Sequence, residues 1–210
     1  MENTLKKICF INGSLRGKKS SSIKFINEVN YLLNGNEYEK VFVQAKARLS
    51  NGYPDTVLKT IFEADIIVIA FPLYNYCLPG ALTRLLEEYY ECLETNTISK
   101  KSKVYAIVNC AYVDPKINDE AIRVIKNFCL RLDINWRFAI SIACGPAVVL
   151  TKSIDIKLHR AFKKIVEDIK TTLDDDLKET IYIKPILPRI IMDSVRMQLD
   201  RNALKKKVYS

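Results

Sequence analysis

The segment Asn12-Gly13-Ser14-Leu15-Arg16-Gly17-Lys18-Lys19-Ser20-Ser21-Ser22 concentrates the groups that hold a phosphate. Serine hydroxyls, backbone N–H groups freed by glycine and the positive end of a helix dipole each favour a bound dianion. Arg16, Lys18 and Lys19 add positive charge. The segment follows a short apolar run, Ile8-Cys9-Phe10-Ile11, and precedes an amphipathic pattern, so it reads as a phosphate cradle between a first strand and a first helix. The plain alternative is a serine-rich turn that caps the helix. Spacing excludes two better-known loops. Nucleotide hydrolases need four residues between the glycines and then Lys-Ser or Lys-Thr, whereas three separate Gly13 from Gly17 and Lys19 intervenes before Ser20. The dinucleotide fingerprint Gly-x-Gly-x-x-Gly is also absent, because Gly13 and Gly17 are the only glycines here.

Two other stretches carry flat rings. Phe71-Pro72-Leu73-Tyr74-Asn75-Tyr76-Cys77-Leu78-Pro79-Gly80 combines prolines that stiffen the chain with tyrosines that offer π-faces, which suits a planar aromatic ligand. Asn109-Cys110-Ala111-Tyr112-Val113-Asp114-Pro115 is short and adds a tyrosine, and its backbone donors could meet a polar ring edge. Other chemistry is poorly supported. The cysteines at 9, 77, 92, 110, 129 and 144 form no Cys-x-x-Cys pair, so they read as buried free thiols rather than as ligands of zinc or an iron–sulfur centre. His159, the sole histidine, lies in a charged helical neighbourhood and reads as a surface side chain.

These loops require elements to position them, and the chain supplies alternating strand-like and helical patterns. Strands are expected at Lys7–Ile11, Glu39–Val43, Ile66–Ala70, Val104–Val108 and Trp136–Ile142. Ile66-Ile67-Val68-Ile69-Ala70 is apolar throughout, as a central strand covered on both faces should be. The intervening helices carry Ile23, Ile26, Val29 and Leu33, then Leu82, Leu85, Leu86, Tyr89 and Leu93, then Ile122, Ile125, Phe128 and Leu132 on single faces. Asp55 and Asn118 are expected as helix caps. Thr151 or Ser153 starts a last helix with Leu158, Phe162, Ile165, Ile169 and Leu173 facing inward. Such alternation implies parallel strands joined by crossover helices, with ligands collecting at the carboxyl ends of the strands near the topological switch point. A phosphate loop facing aromatic loops suggests a phosphorylated ring cofactor.

The two main motifs resemble those of the flavodoxin-like NAD(P)H-dependent FMN reductases and related quinone or azo reductases. Gly13-Ser14-Leu15-Arg16 with Ser20-Ser21-Ser22 is similar to the family's Gly-Ser-x-Arg phosphate loop. Pro72-Leu73-Tyr74-Asn75-Tyr76 through Pro79-Gly80-Ala81-Leu82 is similar to its Pro-x-Tyr…Pro-Gly-x-Leu flavin loop. The resemblance implies a flavodoxin-like three-layer doubly wound sandwich with a five-stranded parallel sheet over residues 1–178. It implies FMN as cofactor and NAD(P)H as co-substrate, with Ser14, Arg16, Ser20, Ser21 and Ser22 around the phosphate and Pro72, Leu73, Tyr74, Asn75 and Tyr76 along the isoalloxazine. Cys110, Ala111 and Tyr112 stand at the ring's polar edge, where family members often have glycine. Ile142-Ala143-Cys144-Gly145-Pro146 likewise retains only Gly145 of a glycine-rich family stretch. A homodimer that completes the flavin site is a further expectation.

Composition bounds the alternatives. The 210 residues, 49% of them hydrophobic, suffice for one ordinary domain. A polar amino terminus and no apolar run beyond Ile66–Leu73 argue against a secretory signal or a membrane span, so a cytoplasmic protein is expected. With 33 basic against 24 acidic residues, the formal charge of +9 weighs against a flavodoxin-type electron carrier, which is generally acidic. The charge also admits a non-enzymatic interaction module, although no aromatic-basic nucleic-acid motif accompanies it. Residues 179–210 form a basic extension: Ile181–Pro188 reads as an extended arm and Arg189–Lys207 as a helix. That helix could touch an anionic membrane surface, but packing on the domain or across a dimer suits its apolar stripe better.

Overall fold

The computed structural model describes residues 5–35, 37–48, 52–95, 102–148, 156–171 and 179–185. Every apolar run read as a strand becomes one, a residue or two longer at its ends. The order is β1 (Lys6–Asn12), α1 (Ser21–Leu32), β2 (Tyr38–Gln44), α2 (Asp55–Phe62), β3 (Ile66–Pro72), α3 (Gly80–Thr95), β4 (Lys103–Asn109), α4 (Asp119–Arg131), β5 (Asn135–Ile142), α5 (Gly145–Val148), α6 (Ile156–Lys170) and β6 (Ile181–Ile183). All pairings are parallel, and the sheet order is β2-β1-β3-β4-β5-β6.

Alternate residues of the strands feed two cores. Ile8, Phe10, Val68, Ile107 and Ile140 face α1 and α6, meeting Phe25, Ile26, Leu158 and Phe162. Cys9, Ile11, Ile67, Ile69 and Val108 face α2, α3 and α4, meeting Phe62, Leu82, Leu85 and Ile125. Burying each such side chain contributes about 1.5–3 kcal/mol, which fixes the register, since a one-residue slip would exchange the two sets. No helix among the described residues is long and apolar enough to cross a membrane.

Four expectations need correction. The sheet has six strands rather than five, because Ile181–Ile183, read as part of an extended arm, pairs with Ile140–Ile142. Ala143 donates its N–H to the Ile183 carbonyl at 3.0 Å, extending that pairing. Asp55 is the first helical residue of α2, preceded by Pro54, and makes no side-chain cap. Asn118 occupies the cap position of α4, but its amide points into the core, donating to Ser141 Oγ at 2.8 Å. Cys77 is exposed, unlike Cys9, Cys110, Cys129 and Cys144. His159 is partly exposed as expected, with Nδ1 3.0 Å from Glu28 Oε1. Leu173, the Thr151 or Ser153 helix start and the helix expected over Arg189–Lys207 lie outside the described residues.

One irregularity sets the polar core. Val104 pairs with Trp136 and Tyr105 with Phe138, so Arg137 is an extra residue in β5, a β-bulge. The bulge leaves Trp136 in one core and puts Phe138 in the other. Arg137, 3% exposed, donates from Nε and Nη2 to both Asp168 carboxylate oxygens at 2.8 and 2.6 Å. The Tyr105 hydroxyl donates to the same carboxylate at 2.5 Å.

Burial alone would raise the Asp168 pKa, yet the Arg137 hydrogen bonds, the Tyr105 hydroxyl and the Arg137 charge hold it below the usual carboxylate value. A depressed folded value stabilises the fold above about pH 4, the unfolded range, and that contribution disappears as pH falls through the folded value. Replacing Asp168 by alanine strands a buried guanidinium and should cost about 3–5 kcal/mol, read as a lower urea midpoint at neutral pH. The gap between wild-type and variant midpoints should narrow as the solution is acidified.

Candidate functional site

The chain leaves β1 toward β2 and then crosses to β3 on the other side, so the sheet order reverses between β1 and β3. Loops that follow strands at such a point flank a crevice. The loops after β1, β3 and β4 meet at this end of the sheet.

The first loop is organised by Asn12, a buried residue that ends β1. Its Nδ2 lies 3.1 Å from Gly17 O, 3.2 Å from Ser20 Oγ and 3.0 Å from Gln44 Oε1, while its Oδ1 accepts the Ser14 N–H at 3.1 Å. Gly17, at φ +54°, supplies the left-handed turn. Ser20 caps α1, its Oγ accepting the Ile23 N–H at 3.2 Å. The serines of this loop therefore divide. Ser14, Ser20 and Ser22 face inward and are buried, with Ser14 Oγ accepting from Arg16 N and Ser22 Oγ from Asn109 Nδ2. Ser21 stands half-exposed in the first turn of α1, where the leading N–H groups have no helical acceptor. Arg16, Lys18 and Lys19 are exposed, and no described carboxylate pairs with them.

The second loop is a miniature hairpin. Tyr74 and Cys77 exchange both backbone hydrogen bonds at 3.0 Å, and Asn75 and Tyr76 between them take φ +50° and +65°. Two left-handed residues in a two-residue turn are the geometry that glycine or asparagine normally supplies. The turn leaves Asn75 and Tyr76 exposed and Pro72, Leu73 and Tyr74 half-buried.

The third loop is pinned at several points. Cys110 N–H donates to Ile142 O at 3.1 Å, Gly145 N–H to Cys110 O at 2.8 Å and Cys144 N–H to Tyr112 O at 2.8 Å. Ala111 is exposed and Tyr112 half-buried, and no described acceptor takes their N–H groups. The Tyr112 hydroxyl donates to the Tyr76 hydroxyl at 2.9 Å, and the two rings stack. This hydrogen bond, then partial burial, raises the Tyr112 pKa, so the phenol stays neutral across the physiological range.

Asn109 ties the three loops together. Its Nδ2 donates to Phe71 O at 3.0 Å and to Ser22 Oγ at 3.3 Å, and its carbonyl accepts the Leu73 N–H at 2.9 Å. Neither Asn12 nor Asn109 is legible from composition as a site residue; the only signal is a polar residue ending an otherwise apolar strand. Burial of Cys110 and Cys144 raises both thiol pKa values, which keeps them unreactive at neutral pH. The geometry thus juxtaposes a helix N-terminus, cations with no carboxylate partner among the described residues, backbone donors with no described acceptor, and stacked phenols.

No protein-family model matches the chain, and no curated protein matches it in sequence. Solved structures do match its fold. An FMN-dependent NADH-azoreductase from Bacillus anthracis, determined with FMN, aligns over 79% of this chain and 100% of its own, with 12% identity and a TM-score of 0.63. An NADH:FMN oxidoreductase aligns over 81% and 93% of the two chains at 10% identity and a TM-score of 0.60. The NAD(P)H:quinone oxidoreductase of Methanothermobacter marburgensis aligns over 81% and 98%, again at 10% identity and a TM-score of 0.60. The fold is therefore a flavodoxin-like three-layer α/β sandwich around a parallel sheet.

The Asn109 hub has a steric counterpart. A Cβ built on Gly145 would lie 2.3 Å from Asn109 Oδ1 and 2.8 Å from its Cβ. Gly145→Ala should therefore displace Asn109 and cost about 1–3 kcal/mol, measured as a lowered thermal midpoint. In combination with Asn109→Ala the losses should sum to less than the two single effects, because part of the clash is already gone.

Proposed function

We propose that the chain is an FMN-dependent oxidoreductase that passes hydride from NADH or NADPH to a quinone, azo compound or similar acceptor. The observation that carries this reading is the meeting, at the switch point, of an anion-binding helix end with two tyrosine-bearing loops. The fold neighbours named as NADH:FMN, azo and quinone reductases support it.

The residues present fit FMN. The Ser21 hydroxyl, the leading N–H groups of α1 and the exposed Arg16 form a donor set for a phosphate dianion, with Lys18 and Lys19 adding charge. Ser14, Ser20 and Ser22 serve that set from behind, because their hydroxyls hold the loop and the helix start in place. The half-buried Pro72, Leu73 and Tyr74 present a stiff wall with a flat π-face, and the exposed Asn75 and Tyr76 form the turn at its tip. The free N–H groups of Ala111 and Tyr112 would donate to an electron-rich ring edge and stabilise negative charge on it, as prepositioned backbone dipoles do. Cys110 supports this edge from behind, its side chain buried and its N–H and carbonyl bonded to Ile142 and Gly145.

The cofactor would supply the redox chemistry, carrying two electrons and a proton as hydride from NADH or NADPH to the acceptor, with a second proton drawn from water. The chain's own residues bind, orient and exclude water; no side-chain acid or base is required. A flavodoxin-type carrier would use the same cofactor for single electrons, but the formal +9 charge disfavours it. A homodimer, which the motif resemblance implies, and a cytoplasmic location complete the proposal.

Purified protein should show a flavin absorption spectrum, directly or after addition of FMN, that bleaches anaerobically with NADH or NADPH. A flavin that ignores both nucleotides yet accepts electrons singly from dithionite would favour the carrier, and no flavin binding would leave an interaction module. The double change Arg16→Ala, Ser21→Ala should weaken FMN binding at least about tenfold in a fluorescence-quenching titration, given about 1.5–3 kcal/mol per charge-assisted hydrogen bond.

A further inference from the structure

Tyr76 and Tyr112 stand on different loops, yet their rings stack with centroids 5.4 Å apart and planes 18° from parallel. Their anchorages differ. The Tyr112 carbonyl accepts the Cys144 N–H at 2.8 Å and lies 3.6 Å from the thiols of both Cys110 and Cys144, so the residue is fixed to the end of β5. Cys144 itself holds a left-handed φ of +53°, a conformation retained at a local cost. Tyr76 sits at the tip of a two-residue turn, 50% exposed and left-handed. Among the described residues, Tyr112 is the only aromatic or hydrogen-bonding partner of its side chain.

We propose that Tyr112 is a stacking platform for the flat ring of the electron acceptor and that Tyr76 is its displaceable cover. The inference rests on the oxidoreductase reading above and gives it a substrate class: planar conjugated rings such as naphthoquinones. A stacked aromatic pair is worth about 0.5–1.5 kcal/mol beyond area burial, so a flat ring that takes the place of Tyr76 recovers the contact it breaks. A ring laid on Tyr112 alone keeps its second face open to receive hydride. A ring enclosed between both phenols would have neither face accessible, which is why the tip residue must yield. The fixed backbone at Tyr112 and the exposed turn at Tyr76 divide the two roles.

The test uses the FMN-loaded protein with 1,4-naphthoquinone as acceptor, and the protein alone with 1-naphthol, a flat ring that takes no hydride, followed by its fluorescence. Tyr112→Leu should raise both the naphthoquinone KM and the 1-naphthol Kd about tenfold, as loss of about 1.4 kcal/mol implies. Tyr112→Phe keeps the ring and should restore both. Tyr76→Ala removes the competing cover and should lower both about threefold, an opposite shift that a merely structural role would not produce. Shifts in the same direction for Tyr76→Ala and Tyr112→Leu, or a 1-naphthol Kd that neither changes, would overturn the proposal. It would equally be overturned if Tyr112→Leu weakened FMN binding tenfold and left 1-naphthol untouched, since the platform would then hold the isoalloxazine. Failure of the wild-type protein to bind FMN would sink the oxidoreductase reading, and the 1-naphthol titrations would still decide the platform by the same opposed shifts.

Discussion

A parallel sheet ends in backbone groups that have no further strand to bond, and at a crevice those groups cannot all face water. Buried N–H and C=O groups need partners, and here two asparagines supply them. Asn12 closes the end of β1 on its own loop and on β2; Asn109 closes β4 on β3 and on the start of α1. Each side chain offers donors and an acceptor in one plane, so a single residue satisfies a loop and fixes its direction. The course of the serine loop and the start of α1 depend on these two amides. The close approach of Gly13 to Phe71 and Leu82 and of Gly145 to Asn109 shows how little room the arrangement leaves.

The two ends of β4 carry opposite kinds of polar chemistry. Asn109, at its last position, is neutral and adjoins an open crevice. Tyr105 lies four residues earlier, about 13 Å away at strand rise, and belongs to a closed charge network with Arg137 and Asp168. The network spans β4, β5 and α6 and has both charges buried. Its geometry is bidentate and its acceptor oxygens are filled, the condition under which a buried ion pair is tolerated. The site end, by contrast, has exposed cations with no carboxylate partner among the described residues.

Most of the architecture was legible because the core strands are continuous apolar runs and the helices have clean stripes. Ile66–Ala70 could hardly be anything but a central strand, and it pairs on both sides. What escaped detection has a common physical origin: short features whose meaning depends on a distant partner. Three residues at Ile181–Ile183 carry no periodicity, and only their hydrogen bonds to β5 make them a strand. Arg137 looks like an ordinary polar interruption, because a bulge leaves no compositional trace. Asn118 has the identity of a cap, but a buried serine on β5 competes for its amide. Likewise, the serine loop was readable as a turn between β1 and α1, whereas the inward turn of Ser14, Ser20 and Ser22 depends on Asn12 and Asn109. The tyrosines were readable as flat surfaces, but their contact with each other was not, since it joins residues 76 and 112 across two loops.

The shortness of β6, three residues against seven or eight in the other strands, has a bearing on solubility. A sheet edge is a template on which another chain can add a strand, and long flat edges invite aggregation. Among the described residues β6 is an edge of only about 10 Å, and a proline two residues past its end cannot donate a further bond. The opposite edge, β2, alternates Glu39 and Lys40 with Phe42, whose ring lies stacked on Phe10. A foreign strand arriving at either margin would meet too little backbone or too much charge, so the molecule's sheet is guarded against growing outward into fibres.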